Sequence, residues 1–253
     1  MITITVATLF PSACEQWCLV GVLGRAIEKG LVRLQWLNPR DFSADKHYRV
    51  DDAPFGGGAG MVMALPPLIR LIRSLNQTEG PVHKILLSPS GVPFDQKKVE
   101  QLAKQKHLLL ICGRYEGIDA RLLDFVDEEI SMGDFILSGG ELGALAIIDA
   151  VARLQEGTLG NGQSHKDESF SNGLLEYPQY TRPHDFEGLT VPKTLLSGNH
   201  QTIELFRRWQ SLRKTQKNRP DLLNLATLST QDRKLLTCLT EEDFLASYQR
   251  GIF

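Results

Sequence analysis

LLLICGRYEGID, residues Leu108–Asp119, runs five apolar residues straight into a turn that carries Gly113 and Gly117. A short apolar run bounded by glycine reads as a buried strand, and a helix-like segment near Ile118–Phe125 follows it. The same strand-then-turn unit recurs on both sides. Ile2, Ile4 and Val6 alternate with Thr3 and Thr5, and Pro11-Ser12-Ala13-Cys14-Glu15 reads as a capping box with Ser12 as N-cap. Further strands are predicted at Val32–Leu37, Lys84–Leu87 and Phe135–Leu137, and further helices near Leu65–Asn76, Asp95–Lys106 and Glu141–Leu154. This alternation predicts an α/β fold whose parallel sheet carries helices on both faces.

Two segments interrupt the pattern. Asn38–Met61 is a long polar, glycine-rich loop, a length that in compact domains usually carries function. Gly157–Gly173, GTLGNGQSHKDESFSNG, loses apolar periodicity and reads as a flexible interdomain linker. The predicted organisation is an α/β domain over residues 1–156, the linker over 157–173 and a small, mainly helical domain over 174–253. In the last of these, Leu205, Trp209 and Leu212 share a helical face. Arg207, Arg213, Lys214 and Lys217 fall on an arc of roughly 120° opposite, at about 100° per residue.

The 253 residues are 42% hydrophobic and 23% charged, which suits a globular protein with a sizeable core. The formal net charge of -2 supplies no global attraction to nucleic acid or membrane, so such a partner must be met by a local patch. Cys14, Cys18, Cys112 and Cys238 form no CxxC pair, which suggests neither a zinc site nor a disulfide framework and fits a reducing compartment. MITITVATLF lacks a basic leader, and no run of about 18 apolar residues occurs, so a cytoplasmic protein without membrane association is expected.

Familiar nucleotide and nucleophile signatures are missing. Phe55-Gly56-Gly57-Gly58-Ala59-Gly60 fails the GxGxxG pattern, no GxxxxGK[ST] exists, and Ser138 lacks the first glycine of a nucleophile elbow. What remains is three turns at predicted strand ends: Leu86–Gly91, Cys112–Asp119 and Met132–Gly140. Ligands of open α/β sheets sit at the carboxyl ends of strands, so these turns can converge on one pocket that binds through backbone groups. Each turn alone also fits a plain turn or helix start. Arg114, Glu116 and Asp119 equally fit a solvated charge cluster.

Six motifs in order resemble one family: PFGGGAGM (Pro54–Met61), SPSG (Ser88–Gly91), CGRYEGID (Cys112–Asp119), GDFILSGGE (Gly133–Glu141), SFSNGLLEYPQYTRP (Ser169–Pro183) and LLSGNH (Leu195–His200). They resemble the bacterial tRNA (guanine-N1)-methyltransferases, the TrmD family of the SPOUT class, from the N-terminal strand to about Leu223. The resemblance implies an α/β domain closed by a deep trefoil knot, a feature that pattern reading alone rejects because threaded chains are rare. It implies a cofactor site for S-adenosylmethionine lined by Leu86, Leu87, Ser88, Pro89, Gly91, Gly113, Tyr115, Glu116, Gly117, Met132, Gly133, Asp134, Phe135, Ile136, Leu137, Gly139 and Gly140. The implied product is 1-methylguanosine at position 37 of tRNA whose nucleotide 36 is also guanosine. An obligate homodimer with active sites shared between subunits is implied as well. Magnesium is expected of the family, but the sequence offers no dedicated ligand cluster.

Guanine N1 carries a proton, so a base must remove it as the methyl group arrives, while a cation offsets the charge that develops on O6. By resemblance the cation is Arg153. The base position, commonly aspartate before Ser-Phe, is held here by Glu168, with Asp167 one residue upstream as the alternative; the plainer reading makes both solvated linker carboxylates. Arg207, Arg208, Arg213, Lys214 and Lys217 are candidate RNA contacts or a solvated face. Asn199 and His200 either touch RNA or cap the helix that follows, and His165 and His184 receive no role. Two rival readings stand beside this one: a non-catalytic RNA-binding protein of the same fold, motivated by glutamate in place of aspartate, and a knotted methyltransferase for another RNA nucleotide. GLLEYPQYTRP and SGNH argue against the second, because they belong to the guanine-N1 family.

Overall fold

The computed structural model describes residues 1–159 and 168–253. The chain divides into two compact units, Met1–Gly162 and Gln163–Phe253, a division that falls inside the segment expected as a linker.

In the first unit β1 (Ile2–Ala7), α1 (Pro11–Cys18), α2 (Gly21–Glu28) and β2 (Val32–Leu37) come first. A short pair, β3 (Asp51–Asp52) and β4 (Val62–Met63), precedes α3 (Leu65–Glu79). Then follow β5 (His83–Pro93), α4 (Gln96–Leu102), β6 (His107–Cys112), β7 (Glu128–Ser131) and α5 (Glu141–Arg153). Five strands form one parallel sheet in the order β2-β1-β6-β5-β7, with Ile2 opposite Val32, Ile4 opposite Leu108 and Ile85 opposite both Leu110 and Glu128. Ile4, Val6, Leu110 and Leu87 meet α2, α4 and α5 on one face, while Ala7, Ile111 and Leu86 meet α3 and Leu122 on the other. The α/β reading with helices on both faces therefore holds.

Because the sheet is covered on both sides, the polar members of β1 are buried with the apolar ones. The hydroxyl of Thr5 is satisfied by Gln35 Oε1 at 2.7 Å and lies 2.8 Å from His107 Nε2, which removes the cost of an orphaned polar group.

Four local expectations need correction. Phe135–Leu137 is not a strand: its side chains are exposed, Ile136 by 81%. The fifth strand lies at Glu128–Ser131, hidden in the sequence by two glutamates; at the sheet edge Glu128 is partnered by His83 at 2.8 Å and by the Lys98 ammonium at 2.6 Å. Ile118–Phe125 is a turn leading into a 3-10 helix, Ala120–Phe125, capped by Asp119, which accepts from Arg121 N. Ser12 is not an N-cap. Pro11, whose fixed φ suits the first helical position, starts α1 and makes Phe10 the cap residue. Finally, the loop from Asn38 is partly structured, holding a 3-10 turn at Pro39–Phe42 and strand β3.

The second unit carries a hairpin of β8 (Asp185–Phe186) and β9 (Leu189–Thr190), then α6 (His200–Asn218), α7 (Pro220–Leu225), α8 (Thr230–Leu235) and α9 (Glu241–Gln249). Phe206, Trp209, Leu212, Leu235, Cys238 and Phe244 form its core, and the buried indole of Trp209 donates to Cys238 O at 3.0 Å. Arg208 is held inside this unit: Nε and Nη2 donate to the Asp232 carboxylate at 2.7 and 2.9 Å, and Asp232 also caps α8 through Ser229. Asp232 is 7% exposed in its side chain, and the Arg208 guanidinium holds its carboxyl below the usual carboxylate range. Removing the cation by Arg208→Ala leaves a buried carboxylate short of partners, which costs about 2 kcal/mol in urea denaturation at pH 7. A carboxyl whose folded pKa is depressed contributes stability above its unfolded value and loses it as pH falls through the folded one. The difference between Arg208→Ala and wild type therefore shrinks below about pH 4.

Candidate active site at the strand ends

One cavity of about 550 Å³ opens at the carboxyl ends of β5, β6 and β7, within the volume range of small-molecule sites. Its walls are the three turns singled out from sequence. At the break in the β5 ladder stand Leu86, Leu87, Ser88 and Pro89; after β6, Gly113, Tyr115, Glu116 and Gly117; after β7, Met132, Gly133, Phe135, Ile136, Leu137, Gly139 and Gly140. Each turn is shaped locally. The Ser88 hydroxyl accepts from Ser90 N at 3.1 Å, Tyr115 adopts φ 63, and Gly133 at φ 132 receives support from Ser131 Oγ. β4 braces the middle turn: Glu116 N donates to Met61 O at 2.9 Å, Met63 N to Gly117 O at 2.9 Å, and Asp119 N to Met63 O at 3.0 Å.

Two glycines mark where chain segments press together. Beyond the Ser88–Gly91 turn the ladder shifts and resumes with Val92 opposite Ile130. A Cβ on Gly91 would fall 2.5 Å from Ile130 N and 2.6 Å from Glu129 C. Gly140 donates to Gly113 O at 3.0 Å, and a Cβ there would meet Cys112 Cα at 2.8 Å.

Gly91 and Asp134, expected to line the site, stand outside this wall, Gly91 because it is spent on the approach to β7. Sequence reasoning missed Ala120, Leu123, Glu129, Ile130, Ser131 and Gly143, which lie outside the three turns and do line it. Glu129 and Ser131 belong to the unrecognised strand β7, which left no local signal in the sequence. The anticipated cluster of Arg114, Glu116 and Asp119 separates: Arg114 pairs with Glu141 at 3.0 Å and Asp119 with Arg121 at 2.6 Å. No cysteine supplies a ready thiolate at the sheet: burial pushes the Cys112 thiol well up and Cys18 up to about 11.

Arg153 closes α5 and is not part of the cavity wall. Glu168 opens a tight turn in which its carbonyl accepts from Ser171 N and Phe170 takes φ 76. Asp167 and His165 lie outside the described residues. In the second unit Asn199 caps α6, accepting from Thr202 N at 3.3 Å, and His200 is the first residue of that helix. Arg207 lies over the Tyr177 ring at 5.0 Å and Arg213 donates to Gln216 at 3.0 Å; Lys214 and Lys217 follow on α6. Arg208, also named as a candidate RNA contact, pairs with Asp232 at 2.7 Å. Among the described residues no group of three or more His, Cys, Asp or Glu gathers as a metal site.

Fold and cavity define an open parallel α/β protein with a cavity of small-molecule size where its strands end. The family model "tRNA (Guanine-1)-methyltransferase TrmD" matches residues 2–225. A tRNA (guanine-N(1)-)-methyltransferase of Dictyoglomus turgidum is 50% identical over 242 residues, covering 96% of this chain and 98% of that protein. Its counterpart in Clostridium novyi is 48% identical, covering 94% and 98%. The crystal structure of the tRNA (m1G37) methyltransferase from Aquifex aeolicus superposes with a TM-score of 0.73 at 39% identity, over 88% of this chain and 95% of that one. The chain belongs to the tRNA (guanine-1)-methyltransferase family.

Proposed function

We propose that this chain transfers the methyl group of S-adenosylmethionine to N1 of guanosine 37 in tRNA that carries guanosine at position 36. The observation that carries the reading is the convergence of three turns on one cavity whose charged wall residues are Arg114, Glu116, Asp119 and Glu129. With Arg114 engaged by Glu141, that wall is net acidic. It disfavours a phosphate and favours a cationic ligand such as a sulfonium bearing an ammonium group. Exposed Phe135, Ile136 and Leu137 offer apolar contact to an adenosine, and the turn backbones offer its hydrogen-bond partners.

When bound, S-adenosylmethionine supplies an electrophilic methyl group. The rest of the chemistry falls to this chain. Glu168 takes the N1 proton, Arg153 stabilises the charge that builds on O6, and the three turns hold the donor and exclude water. A deep knot is proposed for the first unit. It is supported by the two close approaches, Gly91 against Ile130 and Gly140 against Gly113, which leave the chain ends of these loops packed backbone to backbone. We further propose a homodimer in which each site draws its carboxylate from a second subunit, supported by exposed Trp17, Val20 and Leu142 on the first unit. Action in the cytoplasm accords with the finding that, among the described residues, no helix is long and apolar enough to cross a membrane.

Transfer of labelled methyl from S-adenosylmethionine to unmodified tRNA tests the activity; incorporation is expected. Glutamate where the family commonly places aspartate favours one second reading, a non-catalytic RNA binder, which binds tRNA without incorporating label. The basic face of α6 is assigned to the tRNA backbone. Neutralising Arg213, Lys214 and Lys217 together lowers the slope of log affinity against log salt by about 2 to 3, with cofactor affinity unchanged. An unchanged slope removes the face from the interface.

A further inference from the structure

The motifs CGR (Cys112–Arg114) and SGGE (Ser138–Glu141) are two halves of one contact. Glu141 opens a helix yet is only 6% exposed, an unusual place for a carboxylate unless it is fully partnered. Its partners lie on neighbouring turns. Arg114 Nε donates to Oε1 at 3.2 Å and to Oε2 at 3.0 Å, Nη2 lies 3.0 Å from Oε2, and the Thr8 hydroxyl donates to Oε1 at 2.9 Å. Arg114 reaches further: Nη1 donates to Ser138 O at 3.3 Å, and the guanidinium lies 4.5 Å from the Phe10 ring centroid. Phe10 N in turn donates to Thr8 Oγ1 at 3.0 Å. The ion pair occupies the very space a side chain at 139 would need, for a Cβ on Gly139 would fall 2.5 Å from Glu141 Oε2 and onto Arg114. One partly buried ion pair thus ties together the turns after β1, β6 and β7.

We infer that Arg114 and Glu141 are a positioning pair for the methyl donor: their ion pair fixes residues 132–140, the wall of the cavity with the most exposed apolar groups, in the shape that receives the ligand. This rests on the reading of the cavity as the S-adenosylmethionine site. Arg114 acts through Ser138 and Gly139, by holding a carbonyl and filling the space beside it. The fork geometry is essential, because a lysine ammonium cannot bridge two carboxylate oxygens and the Ser138 carbonyl with fixed orientation. A wall that must be ordered by the ligand itself binds more weakly, since the ordering entropy is then subtracted from binding.

The test compares wild type, Arg114→Lys, Glu141→Gln and the double variant by calorimetric titration with S-adenosylmethionine, by tRNA affinity, and by amide hydrogen exchange over residues 132–140 without ligand. Expected are a loss of S-adenosylmethionine affinity of tenfold or more in each single variant, tRNA affinity within twofold, faster exchange at 132–140, and a double variant no worse than the weaker single one. Arg114→Lys retains charge and volume, so it carries the test if Glu141→Gln fails to fold. Folded variants that bind S-adenosylmethionine as wild type does, or that exchange 132–140 at the wild-type rate, overturn the inference while leaving the cavity reading in place. A wild-type protein that does not bind S-adenosylmethionine overturns the cavity reading, and the inference with it.

Discussion

Glu168→Gln is expected to lower methyl transfer to tRNA by about 1000-fold while leaving S-adenosylmethionine binding intact. The amide keeps the size and hydrogen-bonding reach of the carboxylate but cannot accept the N1 proton. Without a base, methyl transfer must proceed with the N1 proton still in place, and the loss of a positioned proton acceptor costs about 100- to 10,000-fold. The cofactor cavity is built from the turns at 86–90, 113–119 and 132–140, so its affinity has no reason to change. Asp167→Asn serves as the control. If Glu168→Gln turns over at nearly the wild-type rate and Asp167→Asn is inactive, the base moves one residue upstream.

Gly91→Ala is expected to destabilise the first unit by about 3 kcal/mol or more, read as a shift of the urea midpoint. The new methyl group would stand 2.5 to 2.6 Å from Ile130 N, Ile130 C and Glu129 C, all of them backbone, so no side-chain rotation can make room. Relief requires separating β5 from β7, and with it the ladder contact of Val92 with Ile130. Ser90→Ala, one residue away and exposed, should change stability by no more than about 0.5 kcal/mol. A Gly91→Ala protein as stable as wild type would show that the two segments are not packed as described.

The sheet was legible because its strands carry clear apolar patterns. Leu108–Cys112, a central continuous apolar run, and Val32–Leu37, an alternating edge strand, could be placed from sequence alone, and the observed strands β6 and β2 differ from them by one residue at most. β7 was illegible for an equally physical reason. A strand that opens with two glutamates is stable only because His83 and Lys98 meet Glu128 across the sheet edge, a tertiary fact with no local signature. Phe135–Leu137 misled in the opposite direction, since three apolar residues in a row read as a strand when they in fact face a cavity. The turns that line the site were found from strand-end glycines. That Gly139 and Gly140 serve different neighbours, the Arg114–Glu141 pair and the backbone of Cys112 and Gly113, emerges only in three dimensions. Arg208 shows the limit of charge counting: its ion pair with Asp232, 24 residues away, has no signature in the sequence.

The central claim is the position of the new methyl group. The most direct measurement incubates the full-length protein with S-adenosylmethionine and an unmodified tRNA carrying guanosine at positions 36 and 37, then maps the methylated base by nuclease digestion and mass spectrometry. The account predicts a single methyl group, on N1 of guanosine 37, lost when that nucleotide is replaced. Methylation at another base or another ring atom, or tRNA recovered without a methyl group, would contradict it.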